Sequence, residues 1–248
     1  MRKGQTLLKA RSRKDVSILL PAYNEALQIE RCVTQVERAI GSLSNSYEII
    51  VSEDGSTDGT ERIVAALSEN NPNLFLLHSP VRLGKGKALK NALKDSTGNL
   101  IIFMDVDLST RLHSLPTILQ LVRETRGMVI GSRHVKGSKV QRGISRTLFS
   151  LGYNMCVRIL FLDGVNDHQC GFKAMSREAS QALSSTKSDG FFFDTEMIVR
   201  CKRLGIPLIE VGVDWVEEKW KSPSKVRLLS DSKRMYFDLL RFRLNLLN

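Results

Sequence analysis

The chain has 248 residues, enough to bury one α/β core, and its 42% hydrophobic and 25% charged residues with no Pro/Gly/Ser-rich linker read as folded protein throughout. A formal net charge of +11 implies polyanionic partners, which charge alone does not sort among nucleic acid, anionic membrane and phosphorylated substrates. The four cysteines, Cys32, Cys156, Cys170 and Cys201, form no C-x-x-C pair, which argues against a zinc site or a disulfide framework and fits a reducing cytosolic compartment.

Residues 1–14 are basic but lack the apolar core of a signal peptide. Val16 to Leu20 is a short apolar run ended by Pro21, and Ile29, Val33, Val36 and Ile40 then share one helical face. The strand-loop-helix unit recurs with a strand at Glu48 to Val51, a polar turn at Glu53 to Gly59 and a helix from Thr60. A strand at Leu74 to Leu77, a Gly/Lys loop at Arg82 to Lys87, a helix ending near Asp95 and a strand at Leu100 to Met104 follow. Beyond them come a helix at Leu115 to Arg126, a strand at Met128 to Ile130, helices at Ser145 to Leu162 and Asp194 to Leu204, and a strand at Leu208 to Trp215. The expected architecture is a single α/β domain over 15–225, a mostly parallel sheet flanked by helices, then a basic amphipathic helix over 226–248. No stretch holds 18 consecutive apolar residues, so no membrane span is expected.

Function in such a sheet gathers at the carboxyl ends of the strands, where polar motifs recur. Pro21-Ala22-Tyr23-Asn24-Glu25 follows the first strand, and either presents a ring and a carboxylate to a ligand or is a turn with Asn24 as helix cap. Asp54, after the second strand, suits the N–H of a pyrimidine or guanine ring. Asp105-Val106-Asp107 ends the most apolar strand; strand alternation would send both carboxylates to one face, where a hard cation with bound diphosphate relieves their repulsion. Gly84-Lys85-Gly86 opens a helix, where glycines allow backbone N–H groups and lysines near phosphate. Arg133, Arg142, Arg146, Arg203 and Lys225 are basic groups at loop or helix ends, and Asp194 is either a helix cap or a third metal ligand.

Taken in order, these segments resemble family 2 glycosyltransferases of the GT-A (Rossmann-like) fold. Asp167-His168-Gln169-Cys170-Gly171-Phe172-Lys173, Phe193-Asp194-Thr195-Glu196, and Trp215 with Ser224-Lys225 are similar to the dolichyl-phosphate β-glucosyltransferases, with dolichol-phosphate mannose synthases as near relatives. The resemblance implies that Pro21, Ala22, Tyr23, Glu25 and Asp54 hold the nucleoside and that Lys85 lies near the base or diphosphate. Asp105, Asp107 and Asp194 would surround Mg²⁺ or Mn²⁺, with Asp105, Val106 and Asp107 also in the nucleotide-sugar site. Arg133, Arg146, Arg203 and Lys225 would hold the acceptor phosphate or the donor diphosphate, with Arg203 counted in the nucleotide-sugar site. Asp105, Asp107, Arg133, Arg146 and Lys225 would form the catalytic set. The sequence departs from the family pattern at Ser52-Glu53-Asp54, where two adjacent aspartates are usual, and at His168, inserted among the expected residues.

The implied activity is inverting transfer of a hexose, glucose favoured, from a UDP-sugar to a dolichyl or polyprenyl phosphate. The alternatives are a GDP-mannose donor, or a saccharide acceptor that would need a general base. Arg142 to Leu162 and the basic tail are expected to dock on an anionic membrane, peripheral at its cytoplasmic face. Nucleic acid is not an expected partner, because aromatics are only 6% and the strand ends are rich in carboxylates that repel a phosphate backbone.

Overall fold

Strand β1, Val16–Ala22, shows why the apolar runs form central strands: Ile18 and Leu20 point to one side of the sheet, Leu19 to the other, and all are fully buried. In the computed structural model, which describes residues 12–217 and 228–246, this two-sided burial holds for each central strand. The chain continues through α1 (Ile29–Gly41), β2 (Tyr47–Asp54), α2 (Thr60–Glu69), β3 (Leu74–Ser79), α3 (Lys85–Asp95) and β4 (Leu100–Phe103). Then come α4 (Leu115–Thr125), β5 (Met128–Ser132), β6 (Lys139–Gln141), α5 (Ile144–Phe161), β7 (Lys173–Ser176), α6 (Gln181–Ser184) and α7 (Phe193–Arg203). The remaining elements are β8 (Leu208–Gly212), β9 (Asp214–Val216) and α8 (Leu228–Asn245).

The 7-stranded sheet runs β3-β2-β1-β4-β7-β5-β8. Helices α1, α2 and α4 cover one face through Ile29, Val33, Val36, Ile40, Val64, Ile118 and Val122. Helices α3, α6 and α7 cover the other through Leu89, Leu93, Leu183, Met197 and Ile198. Each fully buried side chain of this kind contributes about 1.5–3 kcal/mol. Strand order reverses at β1, with β2 on one side and β4 on the other, which opens a crevice at their carboxyl ends.

Two expectations change. The strand expected at Leu208 to Trp215 is two: β8 joins the main sheet, whereas β9 pairs with β6 after a break at Val213. Between the helices expected at Ser145 to Leu162 and Asp194 to Leu204, where the sequence pattern predicts no strand, lies a buried strand, β7, inserted antiparallel between β4 and β5. That insertion draws Cys170-Gly171-Phe172 from another part of the chain against the end of β4. A third cluster, Tyr153, Val157, Phe192, Val199, Leu239 and Phe242, seats α5 and α8 together on α7. Among the described residues, no helix is long and apolar enough to cross a membrane.

Candidate active site

The first two loops are stapled to each other. Asn24, at φ 54°, takes a left-handed conformation that asparagine tolerates, and its side-chain oxygen accepts the Thr57 N–H at 2.8 Å. Its own N–H donates to Ser56 Oγ at 2.8 Å, the Glu25 N–H to Thr60 Oγ1 at 2.8 Å and the Ala26 N–H to Asp58 Oδ2 at 3.0 Å. Asn24 is therefore a loop brace and not a cap; α1 begins only at Ile29. Pro21 and Ala22 end β1, the Arg82 guanidinium stacks 4.0 Å from the Tyr23 ring centroid, and Glu25 takes the Gln28 amide on its carboxylate. Asp54, almost fully buried, accepts the N–H groups of Leu83 at 2.7 Å and Gly84 at 2.9 Å. Each of its oxygens keeps a lone pair for a third donor. The unusual Glu53 is accounted for by its reach: it accepts the Ser56 N–H and pairs with His78 Nδ1 at 2.6 Å, leaving Asp54 in place.

The glycines flanking Lys85 serve packing. A Cβ on Gly84 would stand 2.4 Å from Asp189 O, and one on Gly86 2.8 Å from Ser188 O, while the Gly86 N–H donates to Asp189 O at 2.9 Å. This loop is pressed against 188–193, so the phosphate-facing role expected of its backbone is not what shapes it. Lys85 alone reaches inward, its Nζ 2.6 Å from Asp105 Oδ1. Burial disfavours the lysine charge, but Asp105, Asp194 and Asp107 overcome it and hold the Lys85 pKa above its usual value.

Asp105 and Asp107 lie in a turn beyond β4, so strand alternation does not orient them. The Leu108 N–H closes the turn on Asp105 O at 3.3 Å, with Leu108 at φ 50°, a left-handed conformation costing about 1–3 kcal/mol that surrounding packing must hold. Asp107 accepts the Ser109 N–H and hydroxyl, each at 2.8 Å, and Val106 is buried in the core, so only its backbone is available to a ligand. The Asp105 side chain is 45% exposed. Desolvation works against its charge, but Lys85, then Lys173 and Arg133, hold its carboxyl below the usual range. A Cβ on Gly171 would stand 1.8 Å from Asp105 Oδ2, so that glycine is the floor on which the carboxylate rests.

Asp194 does not join them as a third metal ligand. It is buried in the first turn of α7, its Oδ1 2.5 Å from Nζ of the fully buried Lys173, which also donates to Cys170 O at 2.6 Å. No group of three potential ligands occurs among the described residues. The remaining pair, Asp105 and Asp107, is a hard oxygen donor set that fits Mg²⁺ or Mn²⁺, which commonly takes one or two carboxylates and completes its shell with phosphate and water. Arg203 also leaves the site: it is exposed in the last turn of α7, about 13 Å along the helix from Asp194. There it complements the helix dipole.

On the other side of Asp105 stand the arginines. Arg133 is clamped by Asp167 through Nε at 2.7 Å, Nη2 at 2.8 Å and its backbone N–H at 3.0 Å. Burial disfavours both charges, but each partner outweighs it, so the Asp167 carboxyl is held well below and Arg133 above their ordinary values. Arg146, at the start of α5, is ion-paired with Glu217. Arg142 differs. Its Nε and Nη1 are buried without a hydrogen bond among the described residues, and its guanidinium lies 5.3 Å from the Trp215 ring centroid, with that of Arg133 5.9 Å away. Burial first, then Arg133, push its pKa down to about 10, which leaves it charged at neutral pH. Lys225 lies outside the described residues.

Much of the holding is done by residues whose sequence context assigns them no role: Asp167, Lys173, Gly171, Glu217 and Trp215. For all but Glu217, which lies in none of them, the only sequence signal is membership in the resembling segments, because each acts through a partner distant in the chain.

Residues 17–184 match the family model described as glycosyl transferase family 2. Glycosyltransferase AglD of Haloferax volcanii is 37% identical over 231 residues, covering 92% of this chain, which spans only 36% of that protein's length. The dolichyl-phosphate beta-glucosyltransferase of Dictyostelium discoideum is 31% identical over 243 residues, covering 92% of this chain and 73% of its own. Among solved structures, glucosyl-3-phosphoglycerate synthase from Mycobacterium tuberculosis, in complex with Mn²⁺, UDP-glucose and phosphoglyceric acid, superposes with a TM-score of 0.66 at 23% identity, covering 93% of this chain and 80% of that one. The shared architecture is the GT-A fold.

Proposed function

The chain belongs to glycosyl transferase family 2, and from that membership and the geometry above we propose that it transfers a hexose, glucose first, from a UDP-sugar to a dolichyl or polyprenyl phosphate with inversion, at the cytoplasmic face of a membrane. The observation that carries the acceptor class is Arg142, a half-buried guanidinium beside Arg133 and Trp215 whose Nε and Nη1 are buried without a hydrogen bond among the described residues. Buried N–H donors left without an acceptor are costly, and an entering phosphate satisfies them. A lipid monophosphate, with a second pKa of about 6, is already anionic at neutral pH and attacks the anomeric carbon without a general base. This agrees with the state of the acids: Asp54, Asp105, Asp107, Asp167, Asp194 and Glu217 are each engaged by a hydrogen bond or an ion pair. A saccharide hydroxyl would require one of them to be released as a base.

On the donor side, the Tyr23–Arg82 stack and Asp54 offer a flat face and an acceptor to a pyrimidine, and Lys85 stands at the carboxylate turn to meet the diphosphate. Asp105 and Asp107 would hold a divalent cation, which when bound neutralises charge developing on the departing nucleoside diphosphate. UDP-glucose as donor is supported by the names of the relatives and by the ligands of the similar solved structures. Membrane docking is supported by an exposed stripe on α5, Ile144, Leu148, Leu151, Met155, Ile159 and Leu162, at helical spacing with Arg158 exposed beside it, and by Phe237, Leu240 and Leu244 on α8.

The test is turnover of UDP-glucose, UDP-galactose, UDP-N-acetylglucosamine and GDP-mannose with Mg²⁺ or Mn²⁺ and a short polyprenyl phosphate. UDP-glucose is expected to dominate. Preferential use of GDP-mannose overturns the donor, and transfer to a free saccharide but not to lipid phosphate overturns the acceptor.

A further inference from the structure

His168 sits in the turn that carries the site, yet its side chain points away from it and is fully buried. Its neighbours each hold a site group: Asp167 clamps Arg133, Gln169 donates to Thr195 Oγ1 at 3.1 Å next to Asp194, and Gly171 makes room for Asp105. The imidazole instead reaches α5. Nε2 lies 2.9 Å from Asp163 Oδ2, just past the end of that helix, and Nδ1 lies 3.1 Å from Oδ1 of Asn154 within it. The backbone N–H of His168 donates to the same Asn154 atom at 3.1 Å. A backbone N–H only donates, so that atom is assigned as the amide oxygen, and the ring nitrogen facing it must donate as well. Both ring nitrogens are thus tied to α5 or to the residues just past its end.

Filling this space would not need such a group, since an apolar side chain of similar volume avoids the desolvation cost of a buried pair. What the imidazole supplies is register. It pins α5 at its middle and at its carboxyl end, and Tyr153, hydrogen-bonded to Thr195 Oγ1 at 2.7 Å, adds a neighbouring strut. A helix transmits such a constraint along its length: Arg146 is two turns from Asn154, about 12 Å away, and Arg142 lies just before the first turn.

We infer that His168 is a positioning residue for the acceptor, fixing the register of α5, and with it Arg142, Arg146 and the exposed apolar stripe, against the turn that holds Arg133 and Asp105. This rests on the acceptor reading above. The hydrogen bonds of the ring run to α5 and its end, not to the loops after β1 and β2, so its removal should leave the donor side unchanged.

The experiment compares the chain with His168→Leu, which keeps volume and loses both polar contacts, and His168→Gln, which keeps one. Acceptor KM, UDP-glucose KM, acceptor-free hydrolysis of UDP-glucose, melting temperature and hydrogen exchange over residues 144–161 are measured. In His168→Leu the acceptor KM should rise roughly ten- to hundred-fold with donor KM and hydrolysis unchanged and faster exchange in α5, and His168→Gln should lie between it and the parent. An unchanged acceptor KM, or donor and acceptor constants lost together in step with the melting temperature, overturns the inference. If His168→Leu does not fold, Asn154→Ala removes the α5 anchor alone, and a parental acceptor KM there overturns it equally. If the parent uses no lipid phosphate at all, the acceptor reading fails by itself. Hydrogen exchange then decides the register role, and unchanged exchange over 144–161 refutes it.

Discussion

Gly171→Ala adds a single methyl group, and the structure states where it goes. Its Cβ would stand 1.8 Å from Asp105 Oδ2, 2.3 Å from Cγ and 2.8 Å from Oδ1, well inside van der Waals contact. Gly171 is not among the residues with positive φ, so the conflict is one of space and not of backbone conformation. The carboxylate must retreat by more than about 1 Å to restore a contact near 3.5 Å. It has somewhere to go, because the Asp105 side chain is 45% exposed, so the loss of stability should stay within the 1–3 kcal/mol or so typical of overpacking. The retreat breaks its 2.6 Å contact with Lys85 and moves one of the two carboxylates expected to hold the cation. A misplacement of about 1 Å costs about 100-fold in rate, or about 2.7 kcal/mol in barrier height. Steady-state kcat with UDP-glucose and a polyprenyl phosphate, read beside the melting temperature, checks this: kcat should fall about 100-fold in a folded protein. A folded Gly171→Ala variant with parental kcat would refute the placement of Asp105 against this glycine.

Asp107→Ala should abolish transfer, as should chelation of the parent, and full activity of the variant in excess chelator would refute the cation assignment. Arg142→Ala should raise acceptor KM by roughly ten- to hundred-fold, from a lost charge-assisted contact of about 1.5–3 kcal/mol. Arg146→Ala should do less, because Arg146 is already paired with Glu217; equal effects in acceptor titrations would contradict the distinction. The chain should cosediment with anionic liposomes and release in high salt, and indifference to lipid charge would count against the docking face. Asp167 has a folded pKa below its unfolded value of about 3.9, so its contribution to stability is present above that pH and is lost as pH falls towards the folded pKa. Chemical denaturation of Asp167→Asn should therefore show a deficit of about 3–5 kcal/mol at neutral pH that shrinks below about pH 4, and a deficit independent of pH would refute the pairing.

The alternation of strand and helix is legible in the sequence because each element is a local pattern. Ile29, Val33, Val36 and Ile40 fall on one face by spacing alone, and the short apolar runs Ile18–Leu20, Ile49–Val51 and Leu100–Phe103 stand out because both faces of a central strand are buried. That polar motifs terminate β1, β2 and β4 follows from the same pattern, which is why Tyr23, Asp54, Asp105 and Asp107 stand out in the amino-acid sequence itself. What the residues do there depends on partners brought together by the fold. Strand β7 has only four residues and starts with a buried lysine, so no periodicity announces it, yet its insertion beside β4 places Gly171 under Asp105 and Lys173 against Asp194. The partners Lys85 and Asp105, Lys173 and Asp194, and Arg133 and Asp167 are 20, 21 and 34 residues apart, and an ion pair at such a distance has no local sequence signature. Chemical type and strand-end position are one-dimensional properties, read from neighbours in the chain. Which charge is neutralised, which is left as Arg142 is, and which like Arg203 faces away are set by packing in three dimensions, because burial and Coulomb energy depend on distance through space.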